Sequence, residues 1–100
     1  SRANLSRANF LYADLSNSDL SDSNLSEAEF TYTNLSGANL LRADLTGADL
    51  AGSDLVGAKV GKSWFKKIEK WNVRGWEEII VKYSVDEQGC LKENKQKSKG

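Results

Sequence analysis

An apolar residue recurs every five positions along the first sixty residues: Leu5, Phe10, Leu15, Leu20, Leu25, Phe30, Leu35, Leu40, Leu45, Leu50 and Leu55, with Val60 closing the series. Two positions before each centre stands a short side chain, from Ala3 and Ala8 through Ser23 and Thr33 to Ala58, and the residue directly before it is Asn or Asp except at Glu29 and Lys59. On an α-helix, residues five apart are displaced by about 140°, so these leucines would spiral around the whole surface. A straight strand fails too, because an odd spacing alternates faces and sends half of them into water. The backbone must therefore turn once per unit. If it turns the same way each time, all twelve centres point to one axis, and the short residues fit where the wall runs close to that axis. The expected product is a narrow, filled tube over residues 1–62.

At Gly61 the period ends. Trp64, Phe65, Ile68 and Trp71 stand at i, i+1, i+4 and i+7 among Lys66, Lys67, Glu69 and Lys70, which predicts a short amphipathic helix with Ser63 as its N-cap. Asn72-Val73-Arg74-Gly75 reads as a turn, and Trp76, Ile79, Ile80 and Tyr83 predict a second helix with Glu77 and Glu78 in its first turn. A tube of this kind ends in a disc of core side chains and unpaired strand groups, so residues 63–84 are expected to cover that end. Residues 85–100 read as a polar, lysine-rich, flexible tail.

The repeats Ala43-Asp44-Leu45-Thr46-Gly47 and Ala48-Asp49-Leu50-Ala51-Gly52 resemble the pentapeptide-repeat family, whose unit is A-(D/N)-L-x-x. The resemblance covers about sixty of the hundred residues; Glu29, Thr33, Lys59 and Val60 depart from the pattern in isolation. It implies an all-β solenoid, a right-handed quadrilateral β-helix with four units per coil, hence three coils here. It also points to a cyanobacterial origin. The aromatics agree with such a coil, since Phe10 and Phe30, and likewise Tyr12 and Tyr32, are twenty residues apart and would stack in neighbouring coils. The charges do not discriminate: Arg7 beside Glu27, and Asp22 between Arg2 and Arg42, fit a lag of twenty, but Arg7 with Asp22 and Glu27 with Arg42 fit fifteen.

Composition narrows the chemistry. Cys90 is the single cysteine and there is no histidine, which excludes an internal disulfide, a cysteine-based metal cluster and the commonest catalytic base. Asp14, Asp19, Asp44, Asp49 and Asp54 occupy the position before the centre and need no metal or acid–base role to explain them. Ser6, Ser16, Ser21, Ser26, Thr31, Ser36 and Thr46 follow the centre as β-compatible outer-wall residues, and Gly37, Gly47, Gly52 and Gly57 are turn residues. No enzyme, cofactor or metal site is expected. No apolar run approaches the roughly 20 residues of a membrane span, so a cytoplasmic protein is expected. The repeat is in register from Ala3 and no Met precedes it, which points to a piece of a longer chain.

The best recognition patch is an exposed strip of Tyr12 and Tyr32 beside Leu11 and Leu41. Nothing before Arg2 covers Leu5, Phe10, Leu15 and Leu20, so either further coils or a homodimer through the first coil is expected. The leading functional reading is a rigid scaffold that binds a protein partner, with no direct nucleic-acid or membrane binding. The resemblance also implies an alternative, since some family members mimic duplex DNA and act on DNA gyrase. That reading is disfavoured: DNA carries about eight charges over a rod of about 14 Å, whereas residues 1–60 hold eight acidic and four basic groups, a net charge of minus four.

Overall fold

A computed structural model describes residues 3–94. Through the repeats the chain makes one turn per unit: the amide three residues after a centre donates back to its carbonyl, as from Ala8 to Leu5 at 3.1 Å and from Ala38 to Leu35 at 3.0 Å. The third residue of each turn has φ between 57° and 78°, in the left-handed region. Gly37, Gly47, Gly52 and Gly57 adopt it without steric cost, and Arg7, Tyr12, Asn17, Asp22, Glu27, Tyr32 and Arg42 are held there by the surrounding hydrogen bonds.

The preference for Asn or Asp before the centre has a direct cause. Oδ1 of Asn24 accepts from the Ser26 amide at 3.0 Å and the Ser26 hydroxyl at 2.8 Å, and Oδ1 of Asp44 accepts from the Thr46 amide at 3.0 Å and hydroxyl at 2.6 Å. These Asx turns pin the entry to each bend. They also revise the sequence reading of Ser and Thr after the centre: the hydroxyls of Ser6, Ser16, Ser21, Ser26, Ser36 and Thr46 are donors across the turn rather than merely β-compatible wall residues.

Successive turns return the chain to the same place every twenty residues. Parallel bridges form four ladders: Asn4–Asn24–Asp44, Asn9–Glu29–Asp49, Asp14–Asn34–Asp54 and Asp19–Asn39–Lys59. Within a ladder the amide of Leu5 donates to the carbonyl of Asn24 and the amide of Asn24 to that of Ala3, both at 2.8 Å. Inside, Leu25, Phe30, Leu35, Leu45 and Leu55 are fully buried, while Leu5, Phe10 and Leu15 are half-buried and Leu20, Leu40, Leu50 and Val60 are buried. Phe10 stacks on Phe30 with ring centroids 5.1 Å apart and planes 8° apart. The polar residues among the short side chains are satisfied: Thr33 donates to the Phe10 carbonyl at 2.5 Å and Ser53 to the Leu50 carbonyl at 2.7 Å.

Beyond the repeats lie α1 (Trp64–Lys70), α2 (Trp76–Lys82), β1 (Tyr83–Val85) and β2 (Leu91–Glu93). Four details differ from the sequence reading. Ser63 makes no side-chain cap to α1. The second helix stops at Lys82, and Tyr83 turns into β1 because its ring is buried and its hydroxyl accepts from the Leu55 amide at 3.1 Å. Trp64, Ile68 and Ile79 are buried and Phe65, Trp71 and Trp76 half-buried, but Ile80 is 41% exposed, since only one face of so short a helix meets the repeats. Finally, residues 85–94 are not a flexible tail: β1 and β2 pair antiparallel, and Leu91 is buried with its amide on the Ala58 carbonyl at 2.8 Å. Asp86 holds the connecting loop by accepting from the Gln88 and Cys90 amides, each at 2.9 Å. The rest of the expected tail, residues 95–100, lies outside the described residues, as does Arg2.

Candidate interaction surface

The turn positions project side chains outward in columns, and one column is aromatic. Tyr12 and Tyr32, 72% and 59% exposed, stack with centroids 5.5 Å apart and planes 7° apart. The third place in the column is Gly52, where a Cβ would come within 2.7 Å of the Tyr32 ring; the ring therefore lies flat over bare backbone. Leu11, 45% exposed, adjoins the stack on the same turn. Leu41 does not belong to this patch. It follows the Asn39–Lys59 bridge, whereas Tyr32 follows Glu29–Asp49; the difference of about half a twenty-residue period puts Leu41 on the opposite side, beside Gly61.

Other turn columns carry charge. Arg7 Nε lies 3.0 Å from Glu27 Oε1, and Arg42 grips Asp22 with Nε on Oδ1 at 2.7 Å and Nη2 on Oδ2 at 3.1 Å. Both pairs span one twenty-residue lag, which the charge pattern alone left open. They sit in water, and exposed pairs contribute about 0–1 kcal/mol. Arg42→Ala is therefore expected to leave the urea midpoint nearly unchanged, with any small loss shrinking further in molar salt.

The carboxyls of Asp14 and Asp19 are held below the usual carboxylate range, by the hydroxyls of Ser16 and Ser21 first and by the same residues' amides second. A lowered folded value means that the ionised form is favoured by folding. Its contribution is complete above the ordinary Asp value of about 3.9 and is lost as pH falls through the lower folded values. Stability is expected to fall on acidification below about pH 4. Asp14→Asn should flatten part of that acid limb while leaving neutral stability nearly unchanged, because Asn34 already makes the same two bonds to Ser36. Thermal melts of both chains from neutral pH into the acid range provide the check.

Among the described residues no cluster of His, Cys, Asp or Glu is arranged to hold a metal ion, and no helix is long and apolar enough to cross a membrane.

A family model for pentapeptide repeats matches residues 1–22 and 23–60, with eight copies. The chain belongs to the pentapeptide-repeat family. Pentapeptide-repeat proteins fold as right-handed β-helices, and the four bridge ladders are that fold's signature here. The chain is similar to the crystal structure of HetL, a pentapeptide repeat protein involved in heterocyst differentiation regulation from the cyanobacterium Nostoc sp. strain PCC 7120, with 31% identity and a TM-score of 0.58 over 61% of this chain. It spans 31% of the length of HetL. It is also similar to alr5209, a pentapeptide repeat protein from Nostoc PCC 7120, at 26% identity and a TM-score of 0.46, covering 74% of this chain and 81% of that one. No curated protein matches the chain.

The repeat centres and the Tyr12–Tyr32 stack follow from spacing. Val73 and Leu91, both buried, were missed because each stands alone in a polar stretch and no period announces it.

Proposed function

We propose that this pentapeptide-repeat chain is a non-enzymatic protein-interaction module: a quadrilateral tube of three coils, closed at its end by the segment after residue 62, that presents fixed side chains to a partner. The observation that carries this reading is the Tyr12–Tyr32 stack, a large apolar surface left in water on a wall whose hydrogen bonding holds it still. Tyrosines fixed in this way bury area on binding with little loss of side-chain freedom. Cross-linking of the chain in extracts of its source should capture a protein that a Tyr12→Ser/Tyr32→Ser double variant loses while keeping the wild-type circular dichroism. Equal capture by both chains sinks the tyrosine face as the binding site.

A second face is favoured by burial alone. Leu5, Phe10 and Leu15 are only half-buried where their counterparts one coil later are fully buried. Further coils or a second copy of the chain would cover them, and light scattering that reads a dimer dissociated by Phe10→Glu would identify the second copy. DNA mimicry gains no support: residues 1–60 carry eight acidic against four basic groups, and Arg7 and Arg42 pair with Glu27 and Asp22, which leaves far less negative charge than a duplex of the same length.

A further inference from the structure

The two ends of the tube are not alike. At the end of the last coil, Arg74, Tyr83 and Leu91 take up ladder groups of the repeats. At the first coil, the backbone amides and carbonyls of Asn4, Asn9 and Asp14 have no hydrogen-bond partner among the described residues, although Asn24, Glu29 and Asn34 one coil later bond through both groups. Leu5, Phe10 and Leu15 lie half-buried behind these edges, and Leu11 and Tyr12 stand exposed at the corner between the second and third faces. A strand edge that offers both groups is a template for another strand.

Because its other end is occupied, a second copy meets this edge with its own first coil, about a two-fold axis across the tube. Such an axis reverses the chain, so the strands run antiparallel and opposed residues exchange both N–H···O bonds. The pitch fixes where the axis passes. One coil takes twenty residues and rises about 4.8 Å, so the faces headed by Asn4, Asn9, Asp14 and Asp19 stand at successive quarter-steps. A two-fold through the Leu11–Tyr12 corner sets the first step against the fourth and the second against the third, which gives all four faces the same gap. Any other two-fold across the tube leaves the gaps unequal. The same axis keeps carboxylates apart, because Asn9 opposes Asp14 of the copy and Asn4 opposes Asp19 of the copy. Inside, it lays Phe10 over Ala13 of the copy and Leu15 over Ala8 of the copy, large against small, and at the corner it lays Leu11 against Tyr12 of the copy.

We infer that two copies of this chain join head to head about a two-fold axis through the Leu11–Tyr12 corner, each Asn9 paired antiparallel with Asp14 of the other copy. This dimer rests on the reading of the first coil as an interaction face and commits that face to a second copy in one register. It covers Leu5, Phe10 and Leu15 and gives the open amides and carbonyls their partners with the wall as it stands. Since the axis passes through their corner, the Tyr12–Tyr32 stacks of the two copies come together on one side as a single aromatic strip.

Sedimentation equilibrium of the full hundred-residue chain tests mass and register together. A dimer in the micromolar range is expected. Asn9→Asp opposes two carboxylates at both symmetry-related pairs and should weaken dimerisation about fivefold at low salt, and by less in molar salt. Adding Asp14→Asn removes the clash and should restore the original constant, whereas adding Asp54→Asn, the same charge change two coils away on the same ladder, should not. All three positions are exposed, and each side chain accepts the amide two residues on, a bond that Asn and Asp make alike, so the fold is retained. A monomer throughout the micromolar range overturns the proposal and leaves the edge to further coils or to a different protein. A dimer indifferent to Asn9→Asp, or rescued equally by Asp54→Asn, overturns the register. Capture of a partner through Tyr12 and Tyr32 is read separately, so a monomer that still captures leaves the module reading standing.

Discussion

Phe30→Ala is expected to cost about 3–5 kcal/mol, the largest loss of any single truncation in the repeats. Phe30 is fully buried, its ring stacks on Phe10 at 5.1 Å, and the wall around it is tied by ladder hydrogen bonds on both sides. That wall is the reason the cost sits at the high end. The Phe30 amide is bonded to Asp49 and the Glu29 amide to Ala8, so the backbone cannot collapse into the space without breaking ladder bonds. Phe10→Ala removes the same ring but from a half-buried site, and should cost clearly less. Urea denaturation of the three chains measures both. A Phe30→Ala loss below about 1 kcal/mol would show that the interior relaxes freely and that the rigid-wall argument is wrong.

Tyr83→Phe is expected to cost about 1–3 kcal/mol, a large effect for the removal of one oxygen atom. The ring would stay buried, so packing is nearly preserved, but the Leu55 amide would lose its only acceptor in a region where water does not reach it. Leaving a buried donor unpaired costs its desolvation outright, which is why the conservative change is informative. Hydrogen exchange should place the effect: the Leu55 amide should lose protection in Tyr83→Phe while the Leu25 amide, bonded to Asp44 at 2.8 Å, keeps it. If stability and Leu55 exchange are both unchanged, the hydroxyl does not close that ladder and Tyr83 acts through its ring alone.

These two residues mark how far the chain is legible before folding. Phe30 announces itself, because it is one of twelve centres at a fixed spacing and the same spacing pairs it with Phe10. By spacing alone Tyr83 is the last apolar position of a helix, and nothing local says otherwise: Trp76, Ile79, Ile80 and Tyr83 fit a helical face. Its real partner is the amide of Leu55, twenty-eight residues earlier, and that long-range bond outweighs the helical preference of one more residue at a helix end. Leu41 was misplaced for a related reason. The strip of exposed apolar residues looks continuous along the chain, but adjacency on this surface runs by twenties, and a residue half a period away faces the other side.

The sequence alone determined the repeating unit, its inward centres, its turn residues and the twenty-residue aromatic stack, because a fixed period makes every unit solve the same local problem of burying one side chain and bending once. Only the tertiary structure decided what happens after residue 60: that Arg74 and Leu91 continue two ladder edges, that the Tyr83 hydroxyl takes the Leu55 amide of a third, and that residues 83–93 form a hairpin. The non-repetitive part has no period to read, and its conformation is set by which unpaired backbone groups of the last turn it can reach.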